Sequence, residues 1–156
     1  MSRKAAGWCN IRAKARDGRA RYRDTLRGGA LRMKMACVLV VEDDKDVREM
    51  LDLLLTTSGY ETMTAENGAI ALQKMRERRP CVVLLDLMLP VMNGWRFREQ
   101  QLADPSLAPV TVVCVSAVHQ PKEVEKQLQI PCLGKPVDFG ELLDEVRAAC
   151  SPSGAC

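Results

Sequence analysis

The sequence predicts an α/β domain, a doubly wound parallel sheet of five strands with five helices, and three observations carry that reading. Short apolar runs alternate five times with stretches of helical periodicity between residues 36 and 150. Most of the runs are apolar, as strands covered on both faces must be. Carboxylates and one lysine stand where the runs end, and open parallel sheets present their ligand sites at that edge. Such strict alternation implies parallel pairing with right-handed crossovers.

The elements follow in order. "ACVLVVEDD" at 36–44 is a buried strand ending in acids. Val47, Met50, Leu51, Leu54 and Leu55 then keep helical spacing until "SGY" at 58–60 supplies a glycine stop. "YETMTA" is the second strand, and "NGAIALQKMRERR" a helix that begins at Asn67 and ends before Pro80. "CVVLL" at 81–85 is the third strand and runs into Asp86. "LMLPVMNG" is a loop rich in turn residues, "GWRFREQQLA" a helix closed by Asp104 and Pro105. "VTVVCVS" is the fourth strand, "PKEVEKQLQ" a short polar helix, and "IPCLG" a short fifth strand interrupted by Pro131. In "DFGELLDEVRAAC", Asp138 and Glu141 form a capping-box pattern, and Leu142, Leu143 and Val146 give the apolar face.

Composition bounds what such a chain does. At 156 residues and 47% hydrophobic it has room for one domain with a real core, not for two large ones. Its longest apolar runs fall well short of the roughly 20 residues a membrane helix needs, so no membrane partner is expected. Residues 1–35 carry eleven Lys or Arg against two Asp or Glu, a net of +9, and the remainder twelve against eighteen, a net of −6. The basic, glycine-rich segment 1–34 buries too little to offset its ordering entropy and reads as a disordered leader. Met33 and Met35 stand just before the first strand, so the native start could lie there; an Arg-rich arm for nucleic acid is the alternative. Among the seven cysteines no pair has the Cys-x-x-Cys spacing. Cys37, Cys81, Cys114 and Cys132 lie in apolar runs and are expected to be buried reduced thiols, which implies a cytoplasmic protein.

The strand ends carry the chemistry. Glu42, Asp43 and Asp44 follow the first strand, Asp86 the third, Ser116 and Ala117 the fourth, and Lys135 with Pro136 the fifth. Acids gathered at one rim repel unless a cation joins them, and clustered oxygen ligands suit Mg²⁺, which also favours phosphate oxygens. Lys135 adds a second positive charge and Ser116 a hydroxyl donor. Ser116 could instead cap the following helix, and Asp44 is the better candidate for a cap than for a ligand. Trp95 and the methionines read as packing, and His119 as an exposed residue at a helix start.

"VVEDD", "LLDLMLPVMNG", "VSA" and "GKP", in this order and spacing, resemble the bacterial response-regulator receiver domain over about residues 36–149. The resemblance implies a flavodoxin-like sheet of order 2-1-3-4-5 and a domain at 35–150, followed by a short tail at 151–156. By that resemblance Asp86 is the phosphoacceptor, taking a phosphoryl group from a phosphohistidine of a histidine kinase or phosphotransfer protein. Asp43 and Asp86 are implied as Mg²⁺ ligands, with Glu42 acting through water and the backbone carbonyl of Met88 as a further ligand. Ser116 matches the hydroxyl that meets the phosphoryl oxygens, Ala117 the small residue beside it, and Lys135 the lysine paired with Asp86. The protein is then no enzyme beyond catalysing its own phosphorylation and slow dephosphorylation, since neither Met88 nor Val118 offers a polar group to orient water.

Two departures matter. Cys132 stands three residues before the lysine, where the family usually has Phe or Tyr, and the segment from Ser116 to Lys135 is short; both leave the usual dimer open. With no output domain after residue 150, the expected read-out is a downstream protein, not nucleic acid. A phosphorylation-independent interaction module of the same fold is the rival. A dehalogenase-type phosphatase would want an acid at Met88, and a flavodoxin-type carrier a hydroxyl- and glycine-rich loop after the first strand.

Overall fold

The computed structural model describes residues 21–25, 31–117 and 121–151, the first two strands by backbone alone. Those strands, β1 (Arg21–Thr25) and β2 (Leu31–Met35), pair antiparallel from Arg21 opposite Met35 to Thr25 opposite Leu31. They fall inside the segment where the sequence predicts no ordered element. Backbone pairing needs donors and acceptors rather than an apolar face, so composition gives no warning of it. The rest of 1–34, with residues 118–120 and 152–156, lies outside the described residues, which places Val118 and His119 beyond structural comment.

The remaining elements are β3 (Cys37–Val41), α1 (Lys45–Thr57), β4 (Glu61–Ala65), α2 (Gly68–Glu77), β5 (Val82–Leu85), α3 (Gly94–Ala103), β6 (Thr111–Ser116), α4 (Pro121–Leu128), β7 (Cys132–Gly134) and α5 (Phe139–Ala149). Five of the strands form one parallel sheet in the order β4-β3-β5-β6-β7, which is 2-1-3-4-5 counted within that sheet. Side chains alternate across it with period two. Val38, Val40, Val82, Leu84, Val113 and Val115 face a core closed by Leu51 and Leu55 of α1 and by Leu142 and Val146 of α5. Leu39, Val41, Val83, Leu85, Val112 and Cys114 face the opposite core, closed by Leu72 and Met75 of α2, Phe97 of α3 and Val124 of α4. Trp95 packs against this second core, as expected.

Caps fix where the helices begin. Asp44 accepts from the N–H groups of Asp46 and Val47, Asn67 from Ile70, Asn93 from Arg96 and Asp138 from Glu141. Asp44 is therefore a helix cap. At the other end of α1, Gly59 takes a φ of 90° that suits glycine and turns the chain into β4. Among the described residues α4 is the shortest helix. None of the helices among the described residues is long and apolar enough to cross a membrane.

One cysteine departs from expectation. Cys81 is not a free thiol but is bonded to Cys150, with their Cα atoms 5.2 Å apart at a sequence separation of 69. The pairing joins the residue before β5 to the cap of α5, a proximity created only by the crossover. Cys37, Cys114 and Cys132 are free and buried.

Candidate phosphoacceptor site

Strand order reverses between β3 and β5, since the chain moves outward in opposite directions from these two neighbours. The helices therefore leave the sheet on opposite faces, and a crevice opens at the carboxyl ends. Glu42 and Asp43 lie at one side of it and Asp86 at the other. The Asp86 N–H donates to Val41 O at 2.9 Å and that of Glu42 to Ala65 O at 3.0 Å, so ladder bonds carry the strand geometry right up to the acids.

Asp86 is buried and fully engaged. Its Oδ1 accepts from Ser116 Oγ and from the Met88 backbone N–H, each at 3.1 Å, and its Oδ2 from Lys135 Nζ at 3.0 Å. Lys135 Nζ also donates to Glu42 Oε2 at 2.7 Å. Its own N–H donates to Ser116 O at 3.1 Å, which aligns the end of β7 with that of β6. Only 24% of the lysine side chain is exposed, against 3% for Glu42. In such surroundings an unpaired charge is costly, and one ammonium between two carboxylates offsets that cost.

Electrostatics follow from this arrangement. Burial pushes the Glu42 carboxyl above the usual carboxylate range, against the hydrogen bond from Lys135, and the charge of Asp86 pushes it the same way. Burial pulls Lys135 down, but hydrogen bonds to Glu42 and Asp86 outweigh it and hold the amine above its ordinary value. The rim thus carries an excess of negative charge that one lysine does not balance. Glu42, Asp43 and Asp86 each offer a carboxylate oxygen, all lying within 4.8 Å of one another. Hard oxygen donors at that spacing fit Mg²⁺.

The structure brings Asp86, Ser116, Lys135, Glu42 and Asp43 to one place. Ser116 is wholly buried and its hydroxyl points to Asp86. Ala117 is exposed beside it. Met88 turns its N–H toward Asp86 while 66% of the residue is exposed at the mouth of the crevice. Cys132 lies in register with Cys114, and its Sγ donates to Cys114 Sγ at 2.8 Å.

Sequence reasoning placed Glu42 behind a water and missed its direct ion pair with Lys135. It missed Arg48 as well, whose Nη1 donates to Glu42 O at 2.7 Å and to Asp43 O at 3.1 Å. An arginine one turn into the helix after an acidic loop is the available signal, since a helix start turns that residue back over the loop.

Residues 38–147 match the response regulator receiver domain. The chain belongs to this family. Protein PilH of Pseudomonas aeruginosa is 30% identical over 117 residues, which are 73% of this chain and 97% of PilH. The DNA-binding response regulator MtrA of Mycobacterium tuberculosis is 51% identical over 114 residues, 71% of this chain but 49% of MtrA, so the chain spans about half of that relative. Among solved structures, the chemotaxis response regulator CheY4 of Vibrio cholerae superposes with a TM-score of 0.67 at 28% identity, over 74% of this chain and 99% of that one. Receiver domains act in two-component signalling, bind Mg²⁺ at their active site and interact with histidine kinases or phosphotransfer proteins; they are not enzymes in the usual sense.

Proposed function

We propose that this receiver takes a phosphoryl group onto Asp86 from the phosphohistidine of a histidine kinase or phosphotransfer protein, with Mg²⁺, and signals through protein contacts. The observation that carries the reading is the Asp86 carboxylate, held by Ser116, Met88 and Lys135 beside two further acids. Asp43, Asp86, Glu42 through a water and the Met88 carbonyl would hold the metal, which supplies charge neutralisation at the phosphoryl oxygens. One Asp86 carboxylate oxygen forms the new bond to phosphorus. The histidine nitrogen–phosphorus bond breaks, and its electron pair stays on the imidazole.

Phosphoryl transfer needs positioning and charge neutralisation more than covalent help. Lys135 is already seated at the carboxylate and can follow the negative charge onto the phosphoryl group. The Ser116 hydroxyl, now donating to Asp86, is free to donate to a phosphoryl oxygen instead. Met88 presents a thioether with nothing to orient an attacking water, so the aspartyl phosphate is long-lived. Three buried free thiols accord with the cytoplasm, whereas the Cys81–Cys150 bond is one that a reducing compartment opposes.

Incubation with Mg²⁺ and acetyl phosphate tests the reading by intact mass. The wild type is expected to gain one phosphoryl mass that persists for minutes or longer, because the Met88 side chain orients no water against it. Asp86→Asn or EDTA abolishes the gain. A folded wild type that stays unmodified, or an Asp86→Asn protein that gains as much, overturns the proposal in favour of a phosphorylation-independent module.

A further inference from the structure

Of the three carboxylates that could share a cation, Asp43 is the exposed one, and among the described residues nothing hydrogen-bonds it. Glu42 and Asp86 are both held by Lys135, so for Asp43 the fold sets the side chain chiefly through the direction in which Cβ leaves the backbone. The Glu42 carbonyl belongs to the peptide unit entering Asp43, and the Asp43 carbonyl to the unit leaving it. One nitrogen, Arg48 Nη1, grips both, at 2.7 and 3.1 Å. Two peptide planes fixed on either side of a Cα fix φ and ψ there, and with them the direction in which Cβ leaves. Arg48 is half-buried, and its own N–H donates to Asp44 O at 2.9 Å, so the first turn of α1 anchors the grip.

We infer that Arg48 is a positioning residue for the metal site, which sets the Asp43 carboxylate by clamping the peptide units around it. The inference rests on the Mg²⁺ reading of the rim given above. It is distinguishable from a charge effect by sign. A guanidinium near a cation site repels the cation, so by Coulomb's law alone its removal tightens Mg²⁺ binding. Loss of a clamp weakens it.

The test titrates the full, unphosphorylated chain with MgCl₂ alone, following backbone amide resonances, for wild type, Arg48→Met and Arg48→Lys. Arg48→Met is expected to bind about tenfold more weakly, in keeping with the loss of an outer partner of a ligand. Arg48→Lys keeps a cationic donor of similar reach and recovers most of the affinity. In the metal-free protein, Arg48→Met speeds amide exchange at Asp43 and Asp44 and leaves the amides of β3 and β5 unchanged. Equal or tighter binding by Arg48→Met, failure of Arg48→Lys to recover, or faster exchange across the whole sheet overturns the inference. A wild type that does not bind Mg²⁺ removes the metal reading itself and this inference with it, and the wild-type arm alone reveals that.

Discussion

Val91, in the loop between β5 and α3, holds a backbone conformation that its side chain opposes. Its φ is 64°, and the Met92 N–H donates back to Pro90 O at 2.6 Å, closing a three-residue turn around it. A β-branched residue there is a genuine outlier, and such strain costs of order 1–3 kcal/mol. The residue is 89% exposed, so its side chain returns almost nothing in burial. Asn is far more at ease at positive φ and keeps a Cβ, leaving the unfolded chain's freedom nearly unchanged. Val91→Asn should therefore raise stability by about 1 kcal/mol, read from the urea midpoint at constant slope; an unchanged or lower midpoint contradicts the strain. Residues differ in how far the sequence discloses them. Asp86 and Lys135 were legible because each follows an apolar run whose end can be counted. The conformation of Val91 and the grip of Arg48 were not, because both depend on how a loop closes, which has no periodic signature.

At the level of elements, α3 meets β5 through a single small residue. A Cβ on Gly94 would lie 2.6 Å from Leu87 Cδ2, 2.8 Å from Leu87 Cα and 2.9 Å from Asp86 O. Two of those atoms are backbone at the end of the strand that delivers the acceptor, and they cannot swing aside. Gly94 is required here for close approach, not for a left-handed φ. Gly94→Ala should cost about 2 kcal/mol through overpacking and slow phosphoryl uptake, because the easiest relief displaces Asp86. Gly134→Ala, whose Cβ would meet nothing nearer than Pro121 Cγ at 3.7 Å, serves as the control for stability. If Gly94→Ala melts and phosphorylates like the wild type, the contact is not limiting. The five strands and five helices were readable because apolar periodicity repeats within each. Gln101 shows where that stops: it is wholly buried on α3 and donates to Leu107 O and Val110 O, each at 2.9 Å. In the sequence it is one polar letter in a polar helix. Only the path of the following loop gives it two carbonyls to satisfy.

The molecule as a whole was legible as far as pattern and rim chemistry reach, and the Cys81–Cys150 bond lies beyond that reach. Burial was rightly inferred for Cys37, Cys114 and Cys132, but the meeting of Cys81 with Cys150 depends on α5 returning to the start of β5. The bond encloses the third strand of the sheet, the last three helices and the last two strands, and with them Asp86, Ser116 and Lys135; Glu42 and Asp43 stand outside it. Closing a loop with 69 residues of sequence separation removes unfolded-state entropy worth roughly 4 kcal/mol. It does so from the amino end of the sheet, opposite the rim, so it restrains the domain without touching the site. Reduction, or Cys81→Ser with Cys150→Ser, should lower the melting temperature by on the order of 10 °C. The rate of phosphoryl uptake at 25 °C should stay at the wild-type value, because the groups around Asp86 are placed by ladder bonds and ion pairs that survive. Equal melting temperatures with and without reductant, in protein whose oxidised state mass spectrometry has verified, would show that the unfolded chain gains nothing from release of the loop. A fall in uptake with no fall in melting temperature would instead place the bond in communication with the rim.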